Sequence, residues 1–196
     1  MRPIALSDEI AVGEMPAADE IAILAKAGFR SILNVQPDDE VPRVLTAAAV
    51  GQASGAVGLS YAHVAIASRR PDEASLRAFA GAMAQLPKPI YGCCYSGARA
   101  AAAWALTMAP EMAPHEIETV CTTAGFDMTS LRAEILRRHE TAHVPVAVQA
   151  APEIKAAAVS AGADTSAAAR LPASSAAGTF AIWPRAGSDG GFAVSG

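Results

Sequence analysis

The stretch Pro89-Ile90-Tyr91-Gly92-Cys93-Cys94-Tyr95-Ser96-Gly97-Ala98-Arg99 constrains this chain more than any other. A short apolar run reaches a cysteine, a tight loop containing Gly97 follows, and Arg99 leads into a helix former that runs to Met108. Such a strand-loop-helix unit turns the positive end of the helix back toward the loop. A thiol beside a helix N-terminus or a fixed cation gives up its proton more readily and becomes a nucleophile. Glycine lets the loop bend so that backbone amides converge on a negative charge. The stretch therefore predicts a cysteine-based anion site. One of the two adjacent cysteines, Cys93 or Cys94, is its nucleophile, Arg99 its cation, and Tyr95, Ser96, Gly97 and Ala98 lie between them and the helix.

The rest of the chain reads as strands alternating with helices. Two short strands, Pro3 to Leu6 and Ile10 to Val12, flank a Ser7-Asp8-Glu9 turn. A helix from Pro16 to Lys26 starts with a proline and acids and ends before Gly28. The strand Ser31 to Val35 stops at the polar turn Gln36-Pro37-Asp38-Asp39-Glu40. A helix from Pro42 to about Gly51 would place Val44, Leu45 and Ala48 on one face. Tyr61 to Ile66 is the next strand, and Leu76, Phe79, Ala80, Met83 and Leu86 mark an amphipathic helix after it. Beyond the cysteine loop come helices at Ala100–Met108, Pro114–Ala124 and Thr129–His139, with no strand between them. The alternation predicts an α/β fold with a largely parallel sheet, and ligands on such sheets sit at the carboxyl ends of the strands, where Cys94 falls.

Length and charge narrow the function classes. The 196 residues suit one principal domain, placed at residues 1–140, and a net charge of −4 argues against nucleic acid as a partner. From Thr141 to the end the composition shifts to Ala, Gly, Ser and Pro and predicts a flexible tail, with a marginal helix at Pro152 to Val159. No apolar run approaches a membrane span, and the first residues lack the pattern of a secretory signal, so a cytoplasmic, membrane-free protein is expected. Three cysteines, two of them adjacent, make no disulfide framework, and His63, His115, His139 and His143 supply no metal-ligand set. No metal and no organic cofactor is expected.

Four runs carry a family resemblance: Ile10-Ala-Val-Gly-Glu-Met-Pro16, Leu33-Asn-Val-Gln-Pro-Asp38, Tyr61-Ala-His-Val64 and, above all, Cys94-Tyr-Ser-Gly-Ala-Arg99. They resemble the phosphatase-like domain of beta-lactamase-hydrolase-like proteins, whose loop reads Cys-Arg-Ser/Thr-Gly-Thr-Arg-Ser. The resemblance implies a tyrosine-phosphatase-like fold of the dual-specificity type, and the family is also described as sulfur transferases. Carried over, Cys94 matches the nucleophile, Ser96 and Gly97 the loop interior, and Arg99 the anion-binding arginine. Asp38 matches the aspartate of the family's Asn-Arg-Pro-Asp segment, and Asp38 or Asp72 is the candidate catalytic acid. The chain departs from the pattern at Gln36 and Tyr95, where the family has arginine, at Ala98, where it has threonine, and at Ala100, where it has serine.

The substrate is a small anion, either a phosphate ester or a sulfane sulfur. Counted from Cys94 the loop is Cys-x4-Arg, the rhodanese size, whereas from Cys93 it is the Cys-x5-Arg of tyrosine phosphatases. Helices after the loop, in place of another strand, favour the phosphatase topology. The expectation is thus a cysteine-dependent phosphatase-like hydrolase, with a persulfide-carrying sulfurtransferase or a non-catalytic anion-binding module as alternatives. Asp38 reads equally as a turn-stabilising residue. Cys121 and His63 read as packed residues, and Arg69 and Arg70 as loop charges that either stay solvated or line the anion's approach.

Overall fold

The computed structural model of the chain describes residues 2–144. The expected tail past that point, with its Pro152–Val159 helix, lies outside the described residues. Among the described residues five strands form one sheet: β1 (Ile4–Ala5), β2 (Ile10–Glu14), β3 (Ser31–Asn34), β4 (Ser60–His63) and β5 (Ile90–Cys94). Their order is β1-β2-β5-β3-β4, with β1 antiparallel to β2 and every other pair parallel. Six helices cover it: α1 (Ala18–Lys26), α2 (Ala47–Ala56), α3 (Glu73–Gln85), α4 (Ala98–Met108), α5 (Pro114–Thr123) and α6 (Arg132–His143). The expected parallel-rich α/β layering is present, and α6 continues past residue 140.

Strand pleating sorts the core into two layers, because successive side chains leave opposite faces of a sheet. Ile32, Tyr61, Tyr91 and Cys93 face the layer that packs Ile21, Leu24 and Val50 of α1 and α2. Val12, Leu33, Ala62, Ile90 and Cys94 face the other, with Phe79, Trp104, Ile117 and Ile135 from α3 to α6. At the centre of that second layer α4 buries Ala100, Ala101, Ala102, Ala103, Trp104, Ala105 and Leu106. A helix apolar on nearly every side has to be internal. Its run of alanines lets β2, β5, α3, α5 and α6 all approach it.

Two expected elements are corrected. The helix placed at Pro42 is a 3-10 turn at Arg43–Leu45, and α2 begins only at Ala47. Val44, expected on a buried face, is 75% exposed. The physical reason lies upstream, where the Asp38 carboxylate accepts the Ala47 N–H at 2.7 Å and fixes the true start of the helix. The strand expected to reach Ile66 ends at His63. Val64 and Ile66 still donate N–H bonds to the Asn34 and Val35 carbonyls, so the segment stays anchored beside β3 while it turns toward α3.

Candidate active site

The site forms where β5 ends and α4 begins. Cys94 is the last residue of β5 and is 1% exposed, at the bottom of a cleft of about 410 Å³. The chain then turns through Tyr95, Ser96 and Gly97, and Gly97 adopts φ 82°, a left-handed conformation that side-chain-bearing residues avoid. The turn is also pressed against β2. A Cβ on Gly97 would lie 3.0 Å from the Gly13 backbone nitrogen. Gly13 is constrained in turn, because a Cβ there would lie 2.3 Å from the Tyr91 hydroxyl, which donates to the Glu14 carbonyl at 2.7 Å. Two glycines and a tyrosine thus set the loop height above the sheet. The first intrahelical bond of α4 runs from the Ala101 N–H to the Gly97 carbonyl, so the amides of the preceding turn have no partner within the helix.

The pleat decides which of the two cysteines belongs to the site. Cys94 lines the cleft with Arg99, Gln36, Glu40 and Arg69, whereas Cys93 is fully buried on the opposite face, its Sγ 3.8 Å from Met15 Sδ. Burial, first, and the neighbouring Cys94, second, push the Cys93 thiol far above its ordinary value. Cys121 is fully buried between α5 and its neighbours, and burial pushes its thiol up to about 11. Neither can serve as a thiolate at neutral pH.

Arg99 reaches across the carboxyl ends of the strands. One terminal nitrogen donates to Glu40 Oε1 at 3.0 Å and to the Ile66 carbonyl at 2.9 Å, and the other to Glu40 Oε2 at 2.7 Å and Gln36 Oε1 at 2.8 Å. This is a bidentate guanidinium–carboxylate pair with two further acceptors. Glu40 raises the Arg99 pKa further, and the guanidinium holds the Glu40 carboxyl below the usual carboxylate range. Gln36 is 2% exposed and joins the pair at both ends, its Nε2 donating to Glu40 Oε2 at 2.5 Å. Its own backbone is fixed from below: the N–H donates to Asn34 Oδ1 at 2.8 Å, and His63 Nε2 bonds its carbonyl at 2.8 Å. Asn34 in turn donates to the buried Tyr61 hydroxyl at 3.0 Å. An arginine at position 36, the family's residue, would bring a second cation to Glu40; here a neutral amide leaves the pair balanced.

The structure treats the expected site residues unequally. Cys94, Tyr95, Ser96, Ala98 and Arg99 line one cleft, and Gly97 shapes it. Asp38 does not line it; its carboxylate faces the start of α2. Asp72 does not line it either, since its carboxylate accepts the Ser75 N–H at 2.7 Å and caps α3. Arg69 lines the cleft and also donates to the Asp127 carbonyl, while Arg70 donates to the Ser130 carbonyl at 3.0 Å. These two bonds tie the β4–α3 loop to the segment between α5 and α6. Sequence reading missed Glu40 as the partner of Arg99. The signal was available in principle: Glu40 follows β3, β3 pairs with β5, and loops after neighbouring parallel strands meet at the same edge.

Residues 4–113 match the family described as beta-lactamase hydrolase-like protein, phosphatase-like domain. The chain belongs to this family. A beta-lactamase hydrolase-like protein of Xylella fastidiosa is 32% identical over 130 residues, covering 65% of this chain and 30% of the relative. The chain thus matches under a third of the length of that curated relative. Among solved structures, a candidate phosphatase from Neisseria meningitidis superposes with a TM-score of 0.60 at 19% identity, covering 69% of this chain and 96% of that one. The catalytic core of the PP-IP phosphatase SIW14 from S. cerevisiae superposes with a TM-score of 0.52 at 14% identity, covering 68% and 82%. The fold is that of the tyrosine-phosphatase-like proteins. Among the described residues, no helix is long and apolar enough to cross a membrane.

Proposed function

We propose that this phosphatase-like domain hydrolyses phosphate monoesters through a covalent intermediate on Cys94. The observation that carries the reading is the convergence of Cys94, the turn before α4 and Arg99 on one cleft at the carboxyl edge of a parallel sheet. The Cys94 thiolate attacks phosphorus, the S–P bond forms, and the ester P–O bond breaks. The amides of the loop and Arg99 stabilise the charge that builds on the phosphoryl oxygens. Water then attacks phosphorus and gives up a proton, the S–P bond breaks, and inorganic phosphate leaves with the thiolate restored. Asp38 takes a positioning role here, holding the segment that carries Glu40.

The leaving oxygen must also gain a proton. Among the described residues lining the Cys94 cleft, Glu40 supplies the one carboxylate, and Arg99 keeps it ionised. The proton therefore comes from solvent. Catalysis of this kind works best on esters whose alcohols leave as weak bases.

A second reading rests on the loop itself. Four residues separate Cys94 from Arg99, and Glu40 already neutralises that arginine. A short, nearly neutral cradle suits a persulfide sulfur. One experiment separates the two: incubate the protein with an aryl phosphate and, separately, with thiosulfate, quench, and weigh the Cys94 peptide. A phosphoryl adduct with phosphate release is expected. A gain of one sulfur atom from thiosulfate, with no phosphate released from the ester, would replace the hydrolase reading with sulfur transfer.

A further inference from the structure

The Cys94 cleft does not end at the cysteine. A second groove of about 420 Å³ shares Gln36, Glu40, Tyr95 and Ser96 with it as common walls. Its own lining is mainly apolar, from Met15 after β2 and from Val41, Pro42 and Leu45 in the 38–46 segment. The largest apolar exposure among the described residues lies on this groove. Tyr95, next in chain to Cys94 and a wall of both cavities, is 82% exposed. An aromatic ring left in water beside a nucleophile loses free energy that a bound apolar group would recover.

Charge narrows the occupant. Glu14 and Glu40 line the groove, no cation is among its lining residues, and Glu40 is already paired with Arg99 of the neighbouring cleft. A second phosphate placed there would find no free counter-ion among the lining residues. Among the described residues lining the Cys94 cleft no carboxylate is free of a cation, which favours a leaving group that departs as a weakly basic oxide, such as a phenolate.

We propose that this groove holds the uncharged aromatic body of a phosphate monoester whose single anionic head lies on the Cys94 loop. The proposal rests on the hydrolase reading for its head group and extends it to the rest of the substrate. Tyr95 stacks on the body, and Leu45 and Met15 cover its edge. At turnover the aryl oxide leaves from the groove side and takes its proton from water. Tyr95 then offers an uncharged stacking face, where the family's arginine at this position would also attract an anion.

Phosphonates test this without turnover, because their P–C bond survives the attack that cleaves an ester. With the intact protein, 1-naphthylphosphonate is expected to bind about tenfold or more tighter than methylphosphonate, and also tighter than a polyphosphorylated inositol. The Tyr95→Ala, Leu45→Ala double variant should bring the naphthyl-to-methyl ratio to within about twofold, with each single variant falling between. Equal affinities in the intact protein, a naphthyl preference that survives the double variant, or tightest binding of the polyphosphate would each overturn the proposal. Release of phosphate from 1-naphthyl phosphate is scored separately. No release together with a retained naphthyl preference would sink the hydrolase reading and leave the groove assignment standing. Release without the preference would do the reverse.

Discussion

Cys93 and Cys94 occupy consecutive positions of β5, and the pleat sends them to opposite sides of the sheet. Cys93 joins Ile32, Tyr61 and Tyr91 beneath α1 and α2, where burial keeps its thiol protonated. Cys94 sits at the bottom of the cleft, with the turn before α4 above it and Arg99 among the lining residues. Identical side chains one residue apart thus become a core apolar group and a candidate nucleophile. What separates them is not composition but parity: the sheet register pairs Cys93 with Asn34 and Gly13, and Cys94 with Glu14 at the strand end. A one-residue slip of β5 would exchange their roles.

The largest expected effect breaks that symmetry directly. Cys94→Ser should lower aryl phosphate turnover on the order of 10³-fold or more, because the hydroxyl stays protonated where a thiolate is needed. Cys93→Ala should leave turnover within a few-fold of the parent and instead cost about 1–2 kcal/mol of stability through a small cavity. Steady-state rates beside urea midpoints read both quantities. Comparable loss of turnover in the two variants would mean that the pleat does not divide their functions.

Arg99 comes next. Its two terminal nitrogens hold Glu40, Gln36 and the Ile66 carbonyl at once, a geometry that a planar fork can satisfy and an ammonium cannot. Arg99→Lys should therefore lower kcat/KM by about 10²-fold although the charge is conserved. Retention of full activity in Arg99→Lys would reduce the site's need to a point charge.

A smaller effect appears in stability against pH and extends the comparison to the third cysteine. Cys121 has its thiol pushed from an ordinary 9.0 to about 11 by burial. Below 9 the thiol is protonated folded and unfolded alike, and its burial contributes in full. Between 9 and 11 the unfolded chain loses the proton first and binds fewer protons, so stability falls as pH rises. Cys93 adds a fall of the same sign that extends to higher pH. Urea midpoints across this range should decline in the parent and decline less steeply in Cys121→Ala. Parallel curves would show that the Cys121 thiol ionises in the folded protein as readily as in the unfolded one.

How much of this could be read from residues alone follows from what each residue depends on. The loop was legible because Cys94, Gly97 and Arg99 are close in sequence and bound by local rules of strand end, left-handed turn and helix start. The choice of Cys94 over Cys93 came from the place of Gly97 in the loop and from the family's motif; alternation along β5 says only that the two side chains part, and which face holds the cleft depends on how the helices pack. The Arg99–Glu40 pair was not, because it spans 59 positions and depends on which strand lies beside β5. The start of α2 failed for a related reason. Periodicity put Val44 on a buried face, but a carboxylate nine residues before Ala47 sets the first turn, and no local pattern encodes that bond.

Asp38 gives the finest test, since its sequence position suggests an acid and its hydrogen bond suggests a support. Its Oδ1 accepts the Ala47 N–H at 2.7 Å, a bond that an asparagine carbonyl can accept and an alanine cannot. If support is its role, Asp38→Asn keeps stability and turnover close to the parent, while Asp38→Ala loses about 1 kcal/mol and loosens the segment that presents Glu40 and Leu45. The accompanying loss of turnover in Asp38→Ala should then appear mainly in KM, because the chemistry on Cys94 is untouched and the groove wall is displaced. If Asp38 instead donates the proton to the leaving oxygen, Asp38→Asn loses kcat with its fold intact. That loss should grow with the basicity of the leaving alcohol and shrink for nitrophenyl esters, whose oxides need no proton to depart. The dependence of the Asp38→Asn defect on leaving group therefore separates a capping carboxylate from a catalytic one, even where the change in rate is small.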